Sequence, residues 1–189
     1  MPYPLRTTRM VIDPLLEADI REFLPYRQDP DVARWQSWTP EYSRADALRL
    51  VSGQPSSELP GVGGWIQLAL RSTDRMELLG DVGIHRLDDQ PDTFEIGITL
   101  AAGAQGQGLA TEALEAVLEF LFKDGAAHRV VAQCDARNEP VARLLRRVGF
   151  RQESRQVDAD YFKGEWTTLD GYALLAGEYN GATERKSGP

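Results

Sequence analysis

The chain has 189 residues, enough for one substantial core and few for two; 42% are hydrophobic, 26% are charged, and the net charge is −8. That composition excludes a wholly disordered chain, and the negative charge argues against nonspecific attraction to nucleic acid or to an anionic membrane surface, while leaving room for a local site for a small anion. No stretch approaches the roughly 18 uncharged apolar residues of a membrane span, and the opening MPYPLRTTRM lacks the apolar segment of a signal peptide, so a cytoplasmic location is expected. One cysteine, Cys134, excludes an internal disulfide, and neither histidine has metal-ligand spacing with it; no metal is expected.

Residues 6–12 read as a first strand, stopped by Pro14. Leu16, Ile20, Phe23 and Leu24 then recur at helical spacing. Pro30 and Pro40 bracket a segment with Trp35 and Trp38, and Ser43 has the chemistry to cap a second helix ending near Ser52. Residues 54–64, rich in Pro and Gly, read as a loop long enough to serve as a mobile flap.

Strands follow at 65–70, 79–87 and 93–100. The DDQPD run at 88–92 has turn chemistry and predicts a hairpin between the last two. One register satisfies both apolar alternations: Val82 opposite Ile98, Ile84 opposite Ile96, and His85 opposite Glu95 on the other face. A glycine-rich segment at 101–110 leads into a helix at 111–122, whose apolar stripe is Leu114, Val117, Leu118 and Leu121. Residues 128–134 read as a strand covered on both faces. Residues 138–148 form a second strong helix ended by Gly149 and Phe150, with Arg143, Arg146 and Arg147 on its solvated face. Two last strands, 151–163 and 165–175, turn around Lys163-Gly164. The order predicts an α/β (α+β) domain over residues 1–179: one mixed, mostly antiparallel twisted sheet of about seven strands with helices on both faces, followed by a frayed tail at 180–189.

The segment Gln105-Gly106-Gln107-Gly108-Leu109-Ala110-Thr111 lies between a strand and a helix. Two glycines let several N–H groups converge, and a helix N-terminus adds partial positive charge, so a phosphate or pyrophosphate fits there; a plain glycine connector with Thr111 as cap is the competing reading. The P-loop pattern fails because its Lys and following Ser/Thr are missing. The dinucleotide pattern is met at Gly106 and Gly108 but has Thr111 at its third glycine, and Asp135 stands where a ribose-binding acid would; a dinucleotide-binding protein therefore stays open on these residues.

The pattern Q-x-x-G-x-A, here Gln105, Gly108 and Ala110, resembles the acetyl-CoA loop of the GNAT N-acetyltransferase superfamily. The segments TTRMVIDPL, LGDVGIHR, EIG, GQGLATEA, HRV, DARN, Gly149-Phe150 and KGEW resemble its Rim-type branch, which acetylates ribosomal proteins, in that branch's order. The resemblance implies a GNAT-like fold and transfer of an acetyl group from acetyl-CoA to a primary amine, either a protein N-terminus or a small molecule. It implies that Thr99 and Leu100 bond the pantetheine arm, that the amides of Gln105, Gly106, Gln107, Gly108, Leu109 and Ala110, running into Thr111, hold the pyrophosphate, and that Asn138 reaches the CoA arm. Asn138 followed by Pro140 is equally the pattern of a helix cap. Relatives that pair make a homodimer an expectation too.

Where the family often has Ser and Tyr able to protonate the departing sulfur, this chain has Val141 and Leu145. A thiol of pKa about 8.5 leaves without a dedicated acid, so the reaction is not forbidden. A general base for the attacking ammonium is sought among carboxylates and imidazoles, and Glu95 comes first with His85 second, each with an ordinary strand role as its alternative. Cys134 closes an apolar strand and reads as packing, which argues against an acyl-enzyme. Trp35, Trp38, Tyr161 and Phe162 are candidates for an acceptor wall or for core, and the acidic net charge favours a cationic acceptor at long range. A catalytically silent CoA-binding sensor is the reading from another class.

Overall fold

The computed structural model describes residues 3–55 and 57–179. The tail expected at 180–189 lies outside them. In chain order the strands are β1 (Leu5–Arg6), β2 (Met10–Pro14), β3 (Trp65–Ser72), β4 (Leu78–Arg86), β5 (Thr93–Leu100), β6 (Arg129–Asp135), β7 (Arg151–Phe162) and β8 (Glu165–Leu175). The helices are α1 (Ile20–Arg27), α2 (Pro30–Ala33), α3 (Arg44–Ser52), α4 (Leu109–Lys123) and α5 (Glu139–Arg147), with single 3-10 turns at Glu17–Asp19 and Ala102–Ala104.

One eight-stranded sheet runs β1-β2-β3-β4-β5-β6-β8-β7, antiparallel throughout except between β5 and β6. Successive side chains on a strand alternate faces, and both faces are covered. Ile66, Leu68, Leu70, Val82, Ile84, Phe94 and Ile96 pack with Leu114, Val117, Leu118 and Leu121 of α4 and with Ala142 and Leu145 of α5. Ala69, on the opposite face of β3, packs with Ile20 and Phe23 of α1 and Ala47 of α3.

The hairpin β4–β5 forms in the predicted register, with Val82 opposite Ile98, Ile84 opposite Ile96, and His85 opposite Glu95. Ser43 caps α3 as expected, its hydroxyl accepting from the Asp46 N–H while the Asp46 carboxylate accepts from the Ser43 N–H. Lys163 and Gly164 both carry positive φ (49° and 91°), the pairing a two-residue turn matched to strand twist requires. Gly149 ends α5 with φ 101°, and Phe150 beyond it is buried.

Three expectations change. The first strand divides into β1 and β2, because Thr7 breaks the run: its N–H donates to the Met10 carbonyl and its hydroxyl accepts from the Met10 N–H, which makes a turn. Pro14 is the last residue of β2 rather than a stop before it, a position that needs no N–H for the ladder. On β6 the burial alternates, with Val130, Ala132 and Cys134 buried and Gln133 exposed, so only one face is fully covered.

Candidate active site

The ladder between β5 and β6 covers only Thr93–Glu95 against Arg129–Val131. On its other side, β5 stays paired with β4 as far as Leu100. The direction of the freed groups follows from alternation along an antiparallel strand. The Leu87 N–H donates to the Thr93 carbonyl and the Ala101 N–H to the Leu79 carbonyl, so the odd-numbered residues of β5 face β4. Ile98 and Leu100 therefore turn their N–H groups to the side from which β6 has departed. Thr99 turns its own to β4 and is buried, so the open backbone edge belongs to Ile98 and Leu100 rather than to the Thr99-Leu100 pair.

The fork between the strands is a cleft of about 90 Å³, lined by Ile96, Gly97 and Ile98 of β5, Ala132, Gln133 and Cys134 of β6, Leu114 of α4, and Asn138, Val141 and Leu145 of α5 or its cap. Trp35 and Gln36, in the segment after α2, line it as well. Asn138 caps α5, its Oδ1 accepting from the Val141 N–H at 3.4 Å, and its buried side chain lines the cleft. Val141 and Leu145 stand on the same wall, so the positions where the resemblance leads one to look for hydroxyls present hydrocarbon. Cys134 is more than packing, since it lines the cleft as well; burial pushes its thiol up to about 11. A thiol that holds its proton more tightly than a leaving sulfur of pKa about 8.5 is a poor acid for it.

At the end of β5, the Gln105 Nε2 donates to the Leu100 carbonyl at 3.1 Å, and the Gln107 Nε2 donates to the Gly103 carbonyl at 2.7 Å. Gly106 and Gly108 adopt φ of 74° and 79°, a region unfavourable to residues with a Cβ. Gly108 is the N-cap of α4, so the N–H groups of Leu109, Ala110 and Thr111 lie in the first turn without partners in the helix. These are the donors, and this the dipole end, that suit a pyrophosphate. Thr111 itself is not the cap; it lies inside α4.

On the α1–α3 face, Trp65, His85 and Glu95 form a row across three strands. His85 Nδ1 is 3.3 Å from Glu95 Oε2, and the Trp65 indole stacks on the imidazole with centroids 4.5 Å apart and planes within 5°. Glu95 keeps 30% of its side chain exposed, enough to meet an incoming group. Two positions along the same face, Asp81 is fully buried. It accepts from the Tyr26 hydroxyl at 2.5 Å, from Arg27 at 2.8 Å and from Gln67. Burial raises the Asp81 carboxyl against the pull of Arg27. The Arg27 guanidinium in turn lies 3.6 Å from the Trp38 ring centroid, and the Trp38 indole N–H donates to the Arg27 carbonyl. Trp38 thus belongs to the packing that holds α1 on the sheet.

Beyond Trp35 the cleft meets a second hollow, of about 360 Å³, lined by Arg34, Trp35, Pro40, Arg137, Phe162, Lys163 and Glu165. Trp35 and Phe162 line this hollow, whereas Tyr161 is exposed and meets Trp166 edge-on. Lys163 donates to the Ala33 carbonyl at 2.6 Å and to the Trp38 carbonyl at 2.7 Å, tying the β7–β8 turn to the segment after α2; desolvation lowers its pKa. Arg137 bridges Asp135 and Glu165, which commits Asp135 to an ion pair. Among the described residues no group of three or more His, Cys, Asp or Glu is placed to hold a metal ion, and no helix is long and apolar enough to cross a membrane.

Of the residues singled out in the sequence, Glu95 and His85 meet on the sheet, Asn138 lines the cleft, and Gly106 and Gly108 shape the turn into α4. Sequence reasoning missed Trp65 as the partner of His85, although the register of β3 carried that signal, and it gave Arg9 no role at the loop.

The mixed sheet thus forks beside an amide-rich loop and a helix N-terminus. Residues 9–151 match the model of the acetyltransferase (GNAT) domain, and the chain belongs to that family. It is 25% identical over 177 residues to the uncharacterised N-acetyltransferase p20 of Bacillus licheniformis, covering 94% of this chain and 98% of that one. It is 29% identical over 99 residues to the ribosomal-protein-serine acetyltransferase of Escherichia coli, covering 52% and 55% of the two chains. The spermidine N-acetyltransferase of Vibrio cholerae, solved in complex with CoA and spermine, shares the fold with a TM-score of 0.80 at 16% identity, over 92% of this chain and 99% of that one. The chain is an N-acetyltransferase by family.

Proposed function

We propose that this chain moves an acetyl group from acetyl-CoA to a primary amine, on a protein N-terminus or a small molecule, by direct attack in a ternary complex. The observation that carries the reading is the early end of the β5–β6 ladder, which frees the amides of Ile98 and Leu100 on the side of a cleft lined by Ile98, on the strand that runs on toward the Gly106–Gly108 loop. Those amides bond the pantetheine arm and polarise the thioester carbonyl, where charge develops during attack. The loop and the first turn of α4 take the pyrophosphate. The amine arrives from the α1–α3 face, past Trp35 and Gly97, and Glu95, held by His85, accepts its proton directly or through one water. The sulfur leaves as thiolate or is protonated by water, since the α5 wall offers hydrocarbon only.

The second hollow bears Arg34, Arg137 and Lys163 against Glu165, so its lining does not continue the acidic character of the chain as a whole. Net charge steers at long range, whereas the lining selects at contact; an amine that also carries a carboxylate suits this lining better than a bare polyamine. One observation favours a silent CoA-binding module instead, namely the missing hydroxyls at Val141 and Leu145. Turnover separates the two. Thiol release from acetyl-CoA is followed across N-terminal peptides, amino acids and polyamines; release that depends on acceptor supports transfer, and tight CoA binding with no release across the panel supports the silent module. Radiolabelled acetate remaining on the protein without acceptor would show an acyl-enzyme and refute direct attack.

A further inference from the structure

Arg9, in the turn between β1 and β2, reaches the loop ahead of α4. Its backbone N–H donates to Glu112 Oε1 at 2.8 Å, its Nε to Glu112 Oε2 at 2.7 Å, and its Nη1 to the Gln107 carbonyl at 2.9 Å. A Cβ placed on Gly108 would lie 3.6 Å from Arg9 Nη2, so the guanidinium sits against the cap of the helix.

Two consequences follow from elementary geometry and charge. The Gln107 carbonyl and the Gly108 N–H belong to one trans peptide unit and point in opposite directions. Holding the carbonyl on the guanidinium therefore turns the Gly108 N–H away from Arg9. Glu112, in the first turn of α4, would oppose a dianionic ligand at the same helix end, and Arg9 neutralises it through two bonds.

We propose that Arg9 is a positioning residue for acetyl-CoA: it orients the Gln107–Gly108 peptide and cancels the Glu112 charge so that the loop accepts a pyrophosphate. The inference rests on the reading that this loop holds the pyrophosphate, and it adds a residue about 100 positions upstream to that site.

The test compares the full-length wild type, Arg9→Met, Arg9→Lys and Arg9→Met/Glu112→Gln, with CoA binding by calorimetry and acetyl transfer from two donors. Arg9→Met should weaken CoA binding and raise KM for acetyl-CoA about 10-fold, with kcat at saturation within about 2-fold. S-acetylpantetheine lacks the pyrophosphate, so its kcat/KM should be unchanged. Arg9→Lys, a point donor in place of a fork, should fall between. Removing the unpaired carboxylate in the double variant should recover part of the lost affinity, which repair of a merely structural defect would not do. Equal CoA affinity in wild type and Arg9→Met, or an equal loss with S-acetylpantetheine, would overturn the role of Arg9 alone. Absence of CoA binding by the folded wild type would overturn the loop assignment and this role together.

Discussion

Gly83 lies directly across from Gly97 in the β4–β5 ladder, and the space that each leaves on the α1–α3 face is used differently. A Cβ on Gly83 would meet the Trp65 ring and the Gln67 amide at 3.2 Å, so those side chains already fill the hollow above it. A Cβ on Gly97 would meet nothing within 4 Å. The mid-sheet void beside Glu95 is open on the β5 side alone, facing the fork with β6.

Gly97→Val should therefore fold normally, since the site has room and strands favour β-branched residues. Its methyl groups would occupy the cleft where, on the proposed mechanism, the acyl carbon and the amine meet. Acetyl transfer should fall at least about 10-fold with a melting temperature close to that of the wild type, because misplacement at the reacting centre removes the orientation the site supplies. Unchanged kcat/KM in the folded variant would place the reaction elsewhere.

Glu95→Gln keeps the shape and removes the proposed base. The expected loss in kcat is about 10²–10⁴-fold, the usual contribution of a positioned proton acceptor, with CoA affinity unchanged. His85→Ala should cost less, since it frees Glu95 to reorient and leaves Trp65 without its stacking partner. A Glu95→Gln variant as fast as wild type in steady state would assign the proton to solvent.

Asp81→Ala leaves the buried Arg27 guanidinium without its counter-charge while Tyr26 and Gln67 lose an acceptor. Breaking a buried pair by removing one partner costs about 3–5 kcal/mol, so the urea midpoint should drop sharply. A loss below about 1 kcal/mol would mean that water reaches Arg27.

The Cys134 thiol, pushed up to about 11 by burial, stays protonated at neutral pH. Its alkylation by iodoacetamide at pH 8 should be far slower than that of free cysteine, because the thiolate is the nucleophile. Cys134→Ala should keep acetyl transfer within a few-fold, as a wall residue and not an acyl carrier. Loss of all activity in that folded variant would contradict direct transfer.

The strands around the site were legible because their side chains alternate strictly. Val82, Ile84, Ile96 and Ile98 alternate in step, and the pairing read from them carried His85 to Glu95. The positive-φ glycines at 106 and 108 were legible for a similar reason, since few other residues tolerate that backbone. The fork itself was not. Residues 128–134 read as a continuous strand, and nothing in their order says that pairing with β5 stops at Val131. Long-range charge pairing left no trace either: Arg9 and Glu112 are each ordinary surface residues in their own segments, and only the packing of β1–β2 beside α4 joins them. Trp38 and Cys134 show a third limit, because an aromatic ring or a thiol fits wall and core equally well until neighbours are known.

On the proposed function, the short β5–β6 ladder ties the protein's thermal endurance to the supply of its acyl donor. Three residue pairs join the two halves of the sheet, and a donor bound in the gap would add contacts where the pairing stops. At a hundred times its dissociation constant such a donor adds about 2.7 kcal/mol to the folded state. The enzyme in a well-fed cell and the enzyme in a starved one would then differ in lifetime before they differ in rate.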